Sequence, residues 1–145
     1  MVILDTNILS ILEWQDSSAA KKITKKLSTL PRSEIATTIV TFEEQMQGWS
    51  SFIRSKRTMK EQVAGYARVS QQLKMYCSTI ILGFDELAAV EFQRLKKLHP
   101  QIGNNDLRIA AIALIHDATM VTANLRHFSP ITGLKVEDWT RENHS

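Results

Sequence analysis

Cysteine is nearly absent from this chain of 145 residues: Cys77 stands alone. One thiol makes an internal disulfide impossible and cannot build a cysteine-rich zinc site, and it suits a reducing cytosol. Proline and glycine are sparse, at three and five, and no low-complexity segment, internal repeat or second-domain linker interrupts the chain. No apolar run approaches membrane-spanning length. No basic and apolar leader precedes the first strand-like residues, so the expectation is a soluble cytoplasmic protein with no membrane association. An excess of charge of one sign is lacking too. Eighteen Lys and Arg against fifteen Asp and Glu leave +3, which permits a polyanionic partner without demanding one. What remains is ordinary for one globular domain: 43% hydrophobic and 23% charged residues, in a chain long enough to bury a core.

The chain opens on Val2-Ile3-Leu4, an apolar, partly β-branched run that fits a strand buried on both faces. Ser17 or Ser18 can cap a helix through Ala19, Ile23, Leu27 and Leu30, with Lys21, Lys22, Lys25 and Lys26 on its other faces and Pro31 ending it. Ile35 to Val40 reads as a second strand. Thr41 to Glu44 opens a helix with Phe42, Met46, Trp49 and Ile53 on one face. Thr58 starts another with Met59, Val63, Tyr66, Leu73 and Tyr76 near helical period. The few residues between them predict a helical hairpin, 41–76, inserted in a single domain spanning 1–145. Thr79 to Phe84 reads as a third strand, and Asp85 caps a helix that His99-Pro100 closes. Residues 101–105 read as a loop. Asp106 then begins an apolar helix, Leu107 to Ile115, and Thr119 to Thr122 is a fourth strand. Residues 124–133 read as irregular, followed by a short apolar end and a polar tail, 140–145. Strands alternating with helices predict an α/β fold, a mostly parallel sheet flanked by helices on both sides.

Three acids stand where a strand yields to a helix or where a helix begins: Asp5, Glu44 and Asp106. In a parallel sheet with right-handed crossovers, strand carboxyl ends and the following helix starts share one edge. Crowded carboxylates repel unless a cation neutralises them, and an all-oxygen donor set favours Mg²⁺ or Mn²⁺. Each acid also has a structural account. Asp5 or Asn7 can cap the next helix. Glu44 follows Thr41 at capping-box spacing, on a helix whose apolar stripe points away from it. Asp106 at a helix start complements the macrodipole. Singly these accounts hold the advantage for Glu44 and Asp106; the convergence of three brings the two readings level.

Beyond these residues, four ordered stretches carry a resemblance. Asp5-Thr6-Asn7 after a short strand resembles the opening of PIN-domain ribonucleases, in particular VapC-type toxins of bacterial toxin–antitoxin pairs. Thr38 to Gly48, with Glu44 four residues before the Gly, is similar to their second motif. Gly103-Asn104-Asn105-Asp106 with Ile109-Ala110-Ala111 and Ala113-Leu114 is similar to the third. Thr122 to Phe128, then Gly133-Leu134 and Val136 to Trp139, match the closing segment. The resemblance implies a PIN-like α/β/α sandwich, usually dimeric, that cleaves RNA with Mg²⁺ or Mn²⁺ and pairs with an antitoxin. Carried over, Asp5 and Asp106 become metal ligands and Glu44 a ligand through water. Thr6 and Thr122 line the site, and Asn7 orients Asp5. The family often has an acid where His127 stands, and Asn124 is an amide, so the resemblance leaves open whether one metal or two bind here. The plainer reading of His127 is an exposed loop residue; a phosphate or metal contact is the other.

Two basic sets, Lys21/Lys22/Lys25/Lys26 and Arg54/Lys56/Arg57/Lys60, could guide RNA by phosphate contact, the second more so because it sits in a turn. Trp49, Phe52, Tyr66 and Tyr76 read as core, with a dimer or partner groove as the alternative. Trp14 reads as packing or as a base-stacking group. His116 and Asp117 look like helix-end chemistry. Two other functions compete. A phosphotransferase or phosphatase with Asp5 as nucleophile expects a second acid two residues on, where Asn7 stands. A non-catalytic RNA- or partner-binding module would bind without cutting.

Overall fold

The computed structural model describes residues 1–13 and 16–141. Trp14 lies outside the described residues, as do 142–145. Strand β1 (Val2–Leu4) is the middle of a five-stranded sheet in the order β3-β2-β1-β4-β5, with every pairing parallel. Its partners are β2 (Ile35–Thr38) and β4 (Thr119–Val121); β3 (Ile80–Leu82) and β5 (Lys135–Glu137) form the edges. Parallel strands require crossovers. Here these contain α1 (Thr6–Leu12) and α2 (Ser18–Leu27), α3 (Ile39–Ser55) and α4 (Met59–Cys77), α5 (Glu86–Leu98) and α6 (Asn104–Ile115), and the one-turn α7 (Leu125–Phe128).

Alternation along β1 divides the core. Ile3 faces a cluster with Ala36, Met120, Phe128 and the apolar face of α6. Val2 and Leu4 face the opposite one, with Ile8, Leu9, Ile23, Tyr76 and Val121. Successive strand side chains point to opposite faces, so a strand buried on both sides must be apolar throughout. The α/β/α sandwich expected above is the architecture observed. Leu107 and Ile109 to Ala113 of α6 are fully buried, as an all-round apolar helix requires.

Several boundaries differ from expectation, each for a local reason. Strand β2 stops at Thr38, because the Thr38 hydroxyl accepts from Thr41 N–H at 3.1 Å and caps α3. Such a cap is worth about 1 kcal/mol, so Ile39 and Val40, β-branched though they are, become helical. Helix α2 ends at Leu27, before Leu30, and Pro31 instead precedes a 3₁₀ turn, Arg32–Glu34. Helix α6 begins at Asn104, so part of the expected 101–105 loop is its first turn. The segment 124–133 contains α7, and the apolar end supplies β5. Both are too short to give a periodic signal. Phe52 (43% exposed) and Tyr66 (61%) are not core, and Met59, Val63 and Leu73 are exposed with them. Helix α4 packs chiefly on α3 and leaves that row uncovered. Tyr76 alone of the α4 row is buried; its hydroxyl donates to Gln45, and burial raises its pKa so that the phenol stays protonated. Gly65 permits the close α3–α4 contact, since a Cβ there would stand 3.1 Å from Ile53 Cγ1.

A candidate acidic site at the carboxyl edge of the sheet

Register places the first contact. Leu4 pairs with Val121, so the next residues, Asp5 and Thr122, leave their strands side by side. Asp5 is 4% exposed and Thr122 fully buried. The Thr122 hydroxyl donates to Asp5 Oδ2 at 2.8 Å, and Thr6 N–H donates to Oδ1 at 2.8 Å. Asp5 is thus the N-cap of α1 and at the same time a buried member of the acidic site; the cap and the ligand readings do not exclude each other. Thr122 Oγ1 in turn accepts from Asn7 Nδ2 at 3.3 Å and Asn124 N–H at 3.1 Å. Asn7 Oδ1 accepts from Ala123 N–H at 3.1 Å. Asn7 therefore ties the start of α1 to the end of β4, with Thr122 as the shared pivot, while Asn124 takes part through its backbone.

Glu44 reaches the same edge. Its Oε1 accepts from the Thr6 hydroxyl at 2.9 Å, and the Thr6 and Thr41 hydroxyls lie 3.2 Å apart. The expectation of a solvent-facing Glu44 is overturned by the geometry of α3, which buries two sides. Phe42 and Trp49 pack around Tyr76, whereas Val40, Thr41 and Gln45 form a second buried strip. Glu44, one turn beyond Thr41, follows that second strip. The capping-box reading of Thr41 and Glu44 falls with it, because Thr38 is the cap. Asp106 lies in the first turn of α6, whose N-cap is Gly103 with no side-chain bond. Its Oδ2 is 3.0 Å from His127 Nε2.

Asp5, Glu44 and Asp106 line one cleft of about 420 Å³ with Thr6, Asn7, Ser10 and Ile11. The three acids, distant in sequence, are brought together, and so are Thr6, Asn7 and Thr122. His127 is not a free loop residue: it sits on α7 against Asp106. Sequence reasoning missed Ser10 and Ile11 as cleft lining. Their signal was present, since they stand four residues after Thr6 and Asn7 and so share a helix face with them. The basic turn 54–60 is not among the residues lining this cleft.

Burial pushes the Asp5 carboxyl from 3.8 up to about 6; the Thr122 and Thr6 hydrogen bonds pull it down, and the negative charges of Asp106 and Glu44 add to the rise. A buried carboxylate beside two others is short of positive charge, which is the condition a divalent cation corrects. Among the described residues, no three His, Cys, Asp or Glu groups stand close enough to hold an ion directly. What the cleft offers is all-oxygen donors, the chemistry of a hard cation bound through one or two carboxylates with water completing its shell.

Set against known protein families, residues 2–132 match the PIN domain. The chain belongs to the PIN-domain family. Ribonuclease VapC1 of Haemophilus influenzae (strain R2866) is 31% identical over 145 residues, spanning 95% of this chain and 97% of that protein. The structure of VapBC2 from Rickettsia felis bound to a DNA fragment from its promoter superposes with a TM-score of 0.74 at 26% identity, over 96% of this PIN chain and 99% of that one. VapBC-1 from nontypeable Haemophilus influenzae gives 0.73 at 26% identity, over 97% and 100%. The PIN match over residues 2–132 contains the first three motifs and the Thr122 to Phe128 part of the fourth.

Proposed function

We propose that this PIN-domain protein is a metal-dependent endoribonuclease and the toxin of a toxin–antitoxin pair. Asp5 and Asp106 would hold Mg²⁺ or Mn²⁺, and Glu44 would contribute through water. The observation that carries this reading is the meeting of Asp5, Glu44 and Asp106 in one cleft from three separate parts of the chain. The likeness to Ribonuclease VapC1 supports it. A divalent cation bound there supplies an activated water and offsets charge building on a phosphodiester. The protein's own residues do the rest. Thr122 and the Thr6 N–H hold both Asp5 oxygens in one orientation, leaving a second lone pair on each. Asn7 locks Thr122, and Thr6 aims Glu44 into the cleft. The basic turn with Arg54, Lys56, Arg57 and Lys60 adds phosphate contacts along the RNA.

A single domain accounts for the chain, with the α3–α4 hairpin serving as the crossover from β2 to β3. The uncovered apolar row of α4 supports a protein partner, the cognate antitoxin, or a second copy in a homodimer. Among the described residues no helix is long and apolar enough to cross a membrane. We place the protein in the cytoplasm, where its one exposed thiol, Cys77, stays reduced.

Purified protein incubated with RNA and Mn²⁺ tests the activity. Asp5→Ala and Asp106→Ala variants should lose cleavage while keeping their far-ultraviolet spectrum, EDTA should stop the native protein, and added Mn²⁺ should restore it. Full cleavage by a rigorously purified Asp5→Ala protein overturns the mechanism. RNA binding without cutting would assign the chain to the non-catalytic class. The aspartyl phosphotransferase alternative is weakened by Asn7, whose amide is already committed at both ends to Thr122 and Ala123.

A further inference from the structure

His127 owes its place to its neighbour. Helix α7 is a single turn whose last residue, Phe128, is fully buried. The His127 ring stands edge-on to that of Phe128 at 5.5 Å and 81°, and His127 N–H donates to Asn124 C=O at 3.1 Å. Phe128 thereby anchors the turn, Asn124 starts it, and the imidazole is set at the rim of the acidic cleft. There Nε2 lies 3.0 Å from Asp106 Oδ2, with both side chains about one-third exposed. An imidazole carrying a proton on Nε2 can donate it to that carboxylate oxygen. Asp106 needs such a partner. Asp5 is held by two donors from its own surroundings, whereas, among the described residues, the contact made by the Asp106 carboxylate is the one to His127 Nε2. Carboxylate ligands are commonly oriented by a hydrogen bond to the oxygen that does not face the ion, and losing that partner costs about 10-fold to 100-fold in affinity.

We propose that His127 is a positioning residue for Asp106: its Nε2–H donates to Oδ2, fixes the carboxylate, and leaves Oδ1 for the cation. The proposal rests on the metal-dependent reading above, and its test separates the two.

Mn²⁺ is titrated into the full chain without RNA at one pH, near 7.5, and followed by calorimetry and by the electron paramagnetic resonance of free and bound ion. The native protein is compared with His127→Ala and His127→Gln, each first checked by thermal unfolding in EDTA. Native protein should bind Mn²⁺, His127→Ala should bind it about 10-fold more weakly at an unchanged unfolding temperature, and His127→Gln, whose amide N–H can replace the donor, should regain most of the affinity. Equal affinity in all three proteins overturns the role of His127 and leaves the metal reading intact. Equal loss in the Ala and Gln variants marks the imidazole as a ligand itself and overturns positioning. No Mn²⁺ binding by the native protein overturns both. Should the Ala variant fail to fold, the Gln variant alone decides: near-native affinity supports the donor role and a 10-fold loss overturns it.

Discussion

Asp5 and Thr122 are separated by 117 residues, yet their side chains meet in a hydrogen bond of 2.8 Å. The contact follows from the parallel register of β1 with β4. Thr122 serves three groups at once: it donates to Asp5 and accepts from Asn7 and from the Asn124 backbone. Thr122→Val keeps the shape and removes all three bonds. A buried polar group stripped of its partner costs roughly 1–3 kcal/mol, and we expect a loss of stability in that range. The urea midpoint in EDTA measures it. An unchanged midpoint would mean that the hydroxyl is not the pivot of this corner.

The Asp5 carboxyl titrates at about 6 in the folded chain against 3.8 for a free one. A raised carboxyl pKa means that the fold favours the protonated form. The contribution to stability is full below 3.8 and is lost as pH rises through about 6. At about 1.36 kcal/mol per pH unit, ionised Asp5 therefore costs the metal-free protein up to roughly 3 kcal/mol above neutrality. Asp5→Asn removes that cost, and its amide oxygen can still accept from Thr6 N–H, while Nδ2 faces a Thr122 oxygen that already accepts from Asn7 and Asn124 and so gives up one bond. In EDTA at about pH 7.5 the variant should be more stable than the native protein by roughly 1–3 kcal/mol, and the gap should close by about pH 4. Thermal unfolding at the two pH values provides the readout. A variant less stable at both would show that burial does not strain this carboxylate.

Glu44 and Asp5 differ in how they meet the cleft. Glu44 is only partly buried and takes its bond from the Thr6 hydroxyl, while Asp5 is enclosed. In Mn²⁺ titrations, Glu44→Gln should weaken binding by about 10-fold, as expected of a group acting through water, and Asp5→Asn by at least about 100-fold. The reverse order would exchange their assignments.

Val63 and Tyr66 stand 67% and 61% exposed on α4. A Val63→Glu, Tyr66→Ser variant changes mostly exposed surface, with Tyr66 giving up only its contact in the groove beside Trp49 and Ile53, so its stability should stay within about 1 kcal/mol of the native value. Its association with the co-expressed antitoxin, or with a second copy, should be lost. Size-exclusion chromatography of the co-expressed pair distinguishes the results, and an intact complex would place the partner surface elsewhere.

Legibility in the sequence tracked how local each cause was. Val2 to Leu4, the Asp85 cap and the buried run Leu107 to Ile115 were readable because apolar patterning and caps act over a few residues. Ile39 and Val40 misled because strand propensity yielded to the Thr38 cap. The α4 row misled because apolar periodicity reports an apolar face and is silent about what covers it. Glu44 misled because α3 buries two sides, and one stripe cannot report two neighbours.

By itself the sequence determined the layered α/β class, the buried strands and which acids stand at strand ends and helix starts, since these depend on short-range patterns of apolar and polar residues. Tertiary structure alone decided that Asp5 is both cap and enclosed carboxylate, that Thr122 is its donor, and that His127 faces Asp106. Those relations depend on strand register and on how a buried phenylalanine seats a one-turn helix, and neither quantity is written in any local stretch of residues.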